Sequence, residues 1–130
     1  AFLTLNEQYP RNPYRTEVEY RIQRCRDVIA GHEFLVADFY FRKEAYYGTV
    51  ERLTGLLKDF PDYREKDEVY YRLAVGYKGL GQDENAQEYL DLLKRDYPES
   101  DLIEEAEEMF EDIMEERAEK AETSPEADEE

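Results

Sequence analysis

A pattern of apolar and turn residues occurs twice in this chain, and the matching prolines, Pro61 and Pro98, are 37 residues apart. The first copy extends from His32 to Pro61 and the second from Glu68 to Pro98. Matching positions carry a small apolar pair, a tyrosine, two spaced leucines and an Asp-aromatic-Pro ending: Val36-Ala37 and Leu73-Ala74, Tyr40 and Tyr77, Leu53 and Leu90, Leu56 and Leu93, Asp59-Phe60-Pro61 and Asp96-Tyr97-Pro98. Proline ends a helix because it lacks an amide donor and clashes with the preceding turn. Each copy is therefore predicted to be a pair of helices closed by a proline.

A two-helix repeat of this length is typical of tetratricopeptide (TPR) arrays. One such unit cannot bury its apolar face alone, so neighbouring units stack into a solenoid that holds other proteins. The sequence therefore predicts an all-α fold, a TPR-type α-solenoid of antiparallel helix pairs with one overlong helix and a C-terminal capping helix. We expect the helical repeat domain to cover residues 1–120. Residues 121–130 have almost no apolar content to bury, so they are predicted to be a disordered acidic tail.

The overlong helix is predicted from Tyr14 to Arg42, a stretch without proline. Apolar or small residues recur there in alternating steps of four and three: Val18, Ile22, Cys25, Ile29, His32, Val36 and Phe39. Such a stripe indicates one continuous helix with one face toward a core. We therefore expect Cys25 and His32 to be packed in that core. Glycine is unfavourable inside a helix, so Gly31 is predicted to mark a bend or a close helix approach.

The other segments are arranged around this helix. Residues 2–10 look like the end of a repeat whose first helix is absent, so we interpret the chain as a fragment. The expected units are a long-helix repeat at 14–61, a second repeat at 66–98 and a capping helix at 101–120, with shorter helices at Ala45–Asp59, Lys66–Leu80 and Glu84–Asp96. Gly81 is predicted to take the left-handed conformation that ends a helix. Ser100 or Asp101 is predicted to cap the last helix.

The net charge of −17 is concentrated near the C-terminus. A chain this acidic repels polyphosphate, which argues against nucleic acid as a partner. The predicted capping helix carries Glu and Asp along one side, which suggests a metal site, a surface for a basic partner or simply a solvated face. Calcium loops need a glycine turn with carboxylates at alternating positions. The sequence contains no such loop, so a solvated face is the preferred interpretation.

Catalytic residues are scarce, because His32 is the only histidine and Cys25 the only cysteine. Residues seven apart on a helix are separated by about 10 Å, which is too far for a thiolate–imidazole pair. The sequence also lacks a Gly-rich phosphate loop and a Gly-x-Ser-x-Gly motif. We therefore predict that the chain is not an enzyme and that it has no catalytic residues, no cofactor and no metal site.

Several polar and aromatic residues fit a protein interface better. Tyr47 and Tyr71 are amphipathic and have no position in the predicted core, which suits an interface. Arg52 lies on the second helix of its repeat, and helix-pair geometry is expected to bring it near Arg42 and Lys43. Its planar guanidinium can bind a carboxylate through two hydrogen bonds, which makes arginine a common interface anchor.

Longer stretches of this sequence resemble a particular family. The stretch Arg-Asp-Val-Ile-Ala-Gly-His-Glu-Phe-Leu-Val-Ala-Asp-Phe-Tyr at 26–40 resembles the BamD (ComL-type) outer-membrane assembly lipoproteins. The segments from Glu44 through Arg52 to Asp62, from Tyr77 to Pro98 and from Tyr9 to Tyr14 continue the resemblance, which covers about residues 2–100. The chain departs from the family pattern at His32, where an aromatic residue is common, and at Glu44, where glycine is usual.

The resemblance implies a non-catalytic scaffold that corresponds to the C-terminal TPR half of such a lipoprotein. It implies docking of a POTRA domain of BamA, and of other subunits of the β-barrel assembly machinery, at the periplasmic face of the outer membrane. Arg52 would be the main contact residue, surrounded by Arg42, Glu44 and Tyr47. Unfolded outer-membrane proteins would bind through N-terminal repeats, and a lipid anchor would hold the protein at the membrane; both are expected outside this chain. Another periplasmic or cytoplasmic TPR adaptor for a protein or peptide is the alternative.

Overall fold

A computed structural model describes residues 14–123 of the chain, and these residues form five α-helices. The helices are α1 Arg15–Arg42, α2 Tyr46–Asp59, α3 Lys66–Gly79, α4 Asp83–Asp96 and α5 Leu102–Thr123. The all-α solenoid with one overlong helix is confirmed, and α5 continues three residues past its predicted end at Lys120. The interpretations of residues 2–10 and of the tail beyond Thr123 lie outside the described residues.

The two copies of the sequence pattern have the same backbone geometry. Helices α2 and α4 are both 14 residues long, and α4 begins 37 residues after α2. Each is followed by an aromatic C-cap residue, and the two caps have nearly identical conformations. Phe60 has φ −132° and ψ 67°, and Tyr97 has φ −134° and ψ 61°. The amide of Phe60 donates to the Leu56 carbonyl at 2.7 Å, and that of Tyr97 donates to the Leu93 carbonyl at 2.8 Å. The Asp-aromatic-Pro ending thus produces the same helix stop twice.

The turns before α2 and α4 are also equivalent. Gly81 has φ +81°, and its amide and that of Gln82 donate back to the carbonyls of Lys78 and Tyr77. This is the Schellman arrangement that closes a helix with a left-handed residue, so the prediction for Gly81 is confirmed. Glu44, 37 residues earlier, has φ +59°, and the same bonds run from Glu44 to Phe41 and from Ala45 to Tyr40. Glu44 therefore occupies a position that sterically favours glycine.

Helix α3 is the centre of the solenoid, since it contacts each of the other four helices. Four consecutive residues, from Leu73 to Gly76, are buried. Four consecutive residues cover a full turn, so this turn of α3 is enclosed by its neighbours on all sides. Helices α1, α3 and α5 follow one another on one side of the solenoid, and α2 and α4 pack behind them. Gly76 permits close packing here, because an added Cβ would lie 3.0 Å from the Val50 side chain.

Buried apolar residues form two clusters that meet at α3. One joins α1, α2 and α3 around Ala37, Leu53 and Leu73, and the other joins α3, α4 and α5 around Ala74 and Leu93. Ser100 Oγ accepts a hydrogen bond from the Leu102 amide at 3.1 Å, which confirms its predicted capping role at α5. Across residues 14–123, no helix is both long and apolar enough to cross a membrane.

The prediction for the buried face of α1 is confirmed at Val18 but wrong at Cys25, Ile29 and His32. Its central buried residues are Ala30 and Ala37, whereas Cys25 and His32 are exposed and Ile29 is 52% exposed. The physical reason is that α2 and α3 both pack on the side of α1 that carries Ala30 and Ala37, and Ile29 and His32 lie on another side of the helix. Gly31 is not a close approach either, because an added Cβ would meet no heavy atom within 4 Å, and the helix continues through it.

Candidate functional site

A groove between α1 and α2, with a volume of about 610 Å³, brings Arg52 together with residues that sequence reasoning did not assign to an interface. Its walls come from α1, from α2 and from Phe60, the residue that follows α2. The lining includes Ile29, Glu33, Tyr40, Gly48, Arg52 and Phe60. We refer to this feature as the α1–α2 groove. It combines apolar walls with a small number of charged groups, as protein-docking sites commonly do.

The groove exists because α2 presents small residues toward α1. Gly48, Arg52, Gly55 and Asp59 line the groove and follow one another in steps of four, three and four, which places them on one helical face. A Cβ on Gly48 would lie 3.3 Å from the Tyr40 ring, so the missing side chain lets this ring lie close to α2. At Gly55 an added Cβ would meet nothing within 4 Å. Arg52 is thus the one long side chain in the middle of this face.

Arg52 is held loosely and on two sides. Its guanidinium carbon lies 5.3 Å from the centroid of the Tyr40 ring, a cation–π distance. On the other side, its Nη1 is 3.9 Å from Glu33 Oε2, beyond hydrogen-bond distance, and each of these two side chains is 43% exposed. The guanidinium is therefore oriented by Tyr40 but retains hydrogen-bond donors for another carboxylate.

The charge of the groove is unbalanced. Besides Arg52, its charged lining residues are the carboxylates of Glu33, Glu51 and Asp59. Arg26 is close to the Asp59 end, where it donates to the Asp59 carbonyl at 3.1 Å. A partner's carboxylate that binds Arg52 would therefore lie near three carboxylates of the groove, which repel it. Arg26 is a second cation at one end of the groove.

The other predicted interface residues do not line this groove. Tyr47 is 71% exposed at the start of α2, as expected for a surface residue. Arg42 forms an ion pair of 3.1 Å with Asp38, which lies toward α3. Arg42 and Arg52 thus have different ion-pair partners, Asp38 and Glu33, and a shared interface for the two arginines stays a prediction. Glu44 is exposed, and its conformation gives it a backbone role at the α1–α2 corner.

Arg72 on α3 is a partly buried charge that sequence reasoning missed. Its Nε donates to Asp38 Oδ1 at 2.9 Å, its Nη1 donates to Glu68, and its guanidinium lies 4.8 Å from the Phe34 ring centroid. Burial lowers the pKa of Arg72, but the hydrogen bonds to Glu68 and Asp38 outweigh it and raise the pKa above its usual value. The sequence could have indicated this buried charge, because Arg72 is the single charged residue in the apolar stretch Val69–Val75. This cluster ties α1 to α3 and so supports one wall of the groove.

Tyr71, the second tyrosine predicted for an interface, is partly packed against its neighbours. Its ring contacts that of Phe41 edge-on at 5.8 Å. Burial raises the pKa of the Tyr71 hydroxyl. Tyr71 is half-buried, because it also packs against the cluster that joins α3, α4 and α5. Its interface role stays a prediction for the part of the ring that remains accessible.

The acidic helix α5 is attached to the fold through Arg117. This side chain donates to Asp83 at 3.2 Å and to the carbonyl of Lys78 at the end of α3. Burial alone would raise the pKa of Asp83, but the hydrogen bond from Arg117 and the charge of Lys78 lower it. Within the part of the chain that the structure describes, no three or more His, Cys, Asp or Glu residues are grouped so that they could hold a metal ion.

Comparison with known proteins identifies a family. The model of the YfiO family, described as outer membrane lipoprotein, matches residues 1–92. The outer membrane protein assembly factor BamD of Haemophilus influenzae is 29% identical over 80 residues, which cover 62% of this chain and 30% of that protein. The same factor of Neisseria meningitidis is 24% identical over 103 residues, covering 79% of this chain and 39% of that protein. The same factor of Vibrio cholerae is 33% identical over 61 residues, covering 47% of this chain and 25% of that protein.

These matches confirm the resemblance that the sequence motifs indicated. The matched region extends through the α1–α2 groove and the central helix α3, because both lie within residues 1–92. The chain spans less than half the length of the curated relatives it matches.

Proposed function

The chain belongs to the YfiO family of outer membrane lipoproteins, and from this premise we propose that it is a non-catalytic docking module of outer-membrane protein assembly. Its partner would be a POTRA domain of a BamA-type protein, with further contacts to other subunits of the assembly machinery. The chain would act at the periplasmic face of the outer membrane as the C-terminal half of a longer lipoprotein. Substrate recognition and the lipid anchor would belong to other parts of that protein.

The observation that carries this proposal is the arrangement of Arg52 in the α1–α2 groove. Arginine in a partly apolar pocket is a frequent hot spot of protein interfaces, since it combines bidentate hydrogen bonding with stacking on aromatic rings. Arg52 already stacks on Tyr40. The exposed ring of Tyr47, at the start of α2 and outside the groove, would offer a second contact, because tyrosine presents a large amphipathic surface at a small entropic cost.

The proposal also fits the mechanical character of the module. The groove is built on helices, and α1 is fastened to the central helix through the Arg72 cluster. Sites on packed helices hold their side chains more rigidly than sites on loops. Docking then requires little reordering of the backbone, so more of the contact energy appears as affinity.

Binding of the purified chain to the periplasmic region of its cognate BamA tests the proposal. We expect Arg52→Glu to reduce affinity at least tenfold, because the charge reversal replaces an attraction by a repulsion within one contact. Arg95→Glu is the matched control, since Arg95 is an exposed arginine on α4 that does not line the groove. Helicity and thermal stability of both variants are measured in parallel. Equal binding by wild type and Arg52→Glu, with both folded, would remove Arg52 from the proposal.

A further inference from the structure

Glu33 faces Arg52 across the α1–α2 groove, and we propose that it is a resident competitor of the partner. In the free chain Glu33 forms a loose ion pair with the guanidinium of Arg52, at 3.9 Å, and a carboxylate of the docking protein displaces it. Glu33 therefore limits the affinity of docking and keeps the contact reversible. This inference rests on the proposed function, since it requires a partner that binds Arg52.

The pair Glu33–Arg52 has the geometry of a replaceable contact. Its atoms are 3.9 Å apart and both side chains are 43% exposed. The pair Asp38–Arg72 provides the internal comparison, with atoms 2.9 Å apart and side chains 15–17% exposed. Exposed, long-distance ion pairs contribute little to stability because water and salt screen them. Glu33 can therefore leave Arg52 at small cost, whereas Asp38 cannot leave Arg72.

Arg52 does not need Glu33 for its orientation. The Tyr40 ring lies 5.3 Å from its guanidinium carbon, and Gly48 leaves room for that ring against α2. When one carboxylate replaces another, the stacked guanidinium can therefore stay in place. A preorganised anchor of this kind exchanges partners without a large loss of conformational entropy.

The charges in the groove make Glu33 unfavourable for docking in two ways. It competes as an ion-pair partner for the charge of Arg52, and after displacement it remains as an unpaired negative charge near the incoming carboxylate. Glu51 lines the same groove, but the structure gives it no contact with Arg52, so it acts by repulsion alone. Comparing substitutions of Glu33 and Glu51 therefore distinguishes competition for Arg52 from electrostatic repulsion of the partner.

The test is a double-mutant cycle with the full 130-residue chain and the periplasmic region of the cognate BamA. We expect Glu33→Gln to raise affinity by about three- to fivefold, the upper part of the roughly 1.4- to fivefold range that corresponds to loss of one exposed ion pair. Glu51→Gln should raise it less than about twofold, because exposed charges without direct contact are screened. In the background of Arg52→Gln the gain from Glu33→Gln should disappear, since coupled residues are non-additive.

The outcomes distinguish the two proposals. If Arg52→Gln leaves binding unchanged, the proposed docking site fails and this inference fails with it. If Arg52→Gln weakens binding but Glu33→Gln does not strengthen it, only the competitor is refuted. An equal gain from Glu33→Gln with and without Arg52 would indicate general repulsion and also refute it. Thermal melting of each variant verifies that it is folded.

A measurement without the partner uses acetate as the probe. The Arg52 Nε–H signal in NMR spectra should shift at lower acetate concentration in Glu33→Gln than in the wild type, because the competing carboxylate is gone. Identical titration curves at constant ionic strength would show that Glu33 does not occupy Arg52 in the free chain, and would overturn the inference.

Discussion

Replacing Arg72 by methionine tests the packing argument for the whole solenoid. Methionine keeps most of the apolar stem and removes the guanidinium, so the loss reports on its hydrogen bonds to Asp38 and Glu68 together with its stacking on Phe34. Each hydrogen bond to a charged group contributes about 1.5–3 kcal/mol. Glu68 is 36% exposed, so its share is reduced by screening.

The expected destabilisation is about 3 kcal/mol. Removing one partner of a fully buried pair costs about 3–5 kcal/mol. The present pair still has some contact with water, and Asp38 keeps its ion pair with Arg42, so the lower end of that range applies. For a domain of this size, 1 kcal/mol corresponds to about 4 °C in melting temperature, which gives a decrease of roughly 12 °C for Arg72→Met.

Urea denaturation followed by far-UV circular dichroism provides the measurement, since urea does not screen charges as guanidinium does. Arg95→Met is the control, because Arg95 is an exposed arginine that contacts only its neighbour Asp96 among the described ion pairs; we expect no measurable change there. In a cycle with Asp38→Asn, the two substitutions should couple by about 1–2 kcal/mol, within the range for residues in direct contact. Equal midpoints for Arg72→Met and Arg95→Met would refute the reasoning.

Three further substitutions test local features. Glu44→Gly should raise the melting temperature by a few degrees, because relief of about 1–2 kcal/mol of left-handed strain exceeds the entropic cost of glycine, about 0.5–1 kcal/mol. Gly79→Ala should destabilise the fold by about 1–3 kcal/mol, since its Cβ would lie 2.2 Å from the Tyr46 ring, whereas Gly31→Ala, with open space around it, should be stabilising in the same thermal melts. Burial raises the pKa of Tyr63 to about 12, above the value of about 10 for unfolded tyrosine. The stability that the neutral hydroxyl contributes is therefore present below pH 10 and lost as the pH rises to 12. In Tyr63→Phe, the urea midpoints measured at pH 9 and at pH 11.5 should differ less than they do in the wild type.

The helix ends illustrate what could be predicted from the sequence. Pro61, Pro98 and Gly81 act through local sterics, which depend on a few neighbouring residues. Their consequences therefore appeared where expected, to within one residue for the ends of α2 and α3. Glu44 was recognised only as a departure from a family pattern. Its positive φ explains why glycine is favoured at that position.

The candidate site was predicted in part. Arg52 was identified because arginine at the second helix of a repeat has recognisable interface chemistry. Its two neighbours, Glu33 and Tyr40, lie 19 and 12 residues away along the chain and meet it only because α1 and α2 pack as an antiparallel pair. The partial burial of Tyr71 was missed for the same reason, since its ring contacts Phe41 on another helix.

By itself, the sequence determined the number of helical units, their 37-residue spacing and the overlong helix, because each depends on periodicity and on short-range backbone sterics. Only the tertiary structure decided which face of α1 is buried. Apolar residues occur on more than one side of that helix. Their periodicity predicts that one face of the helix is buried, but it does not identify which face α2 and α3 pack against. The packing of α2 and α3 against Ala30 and Ala37 exposed His32 and joined Arg52 to Glu33, and from that choice the groove follows.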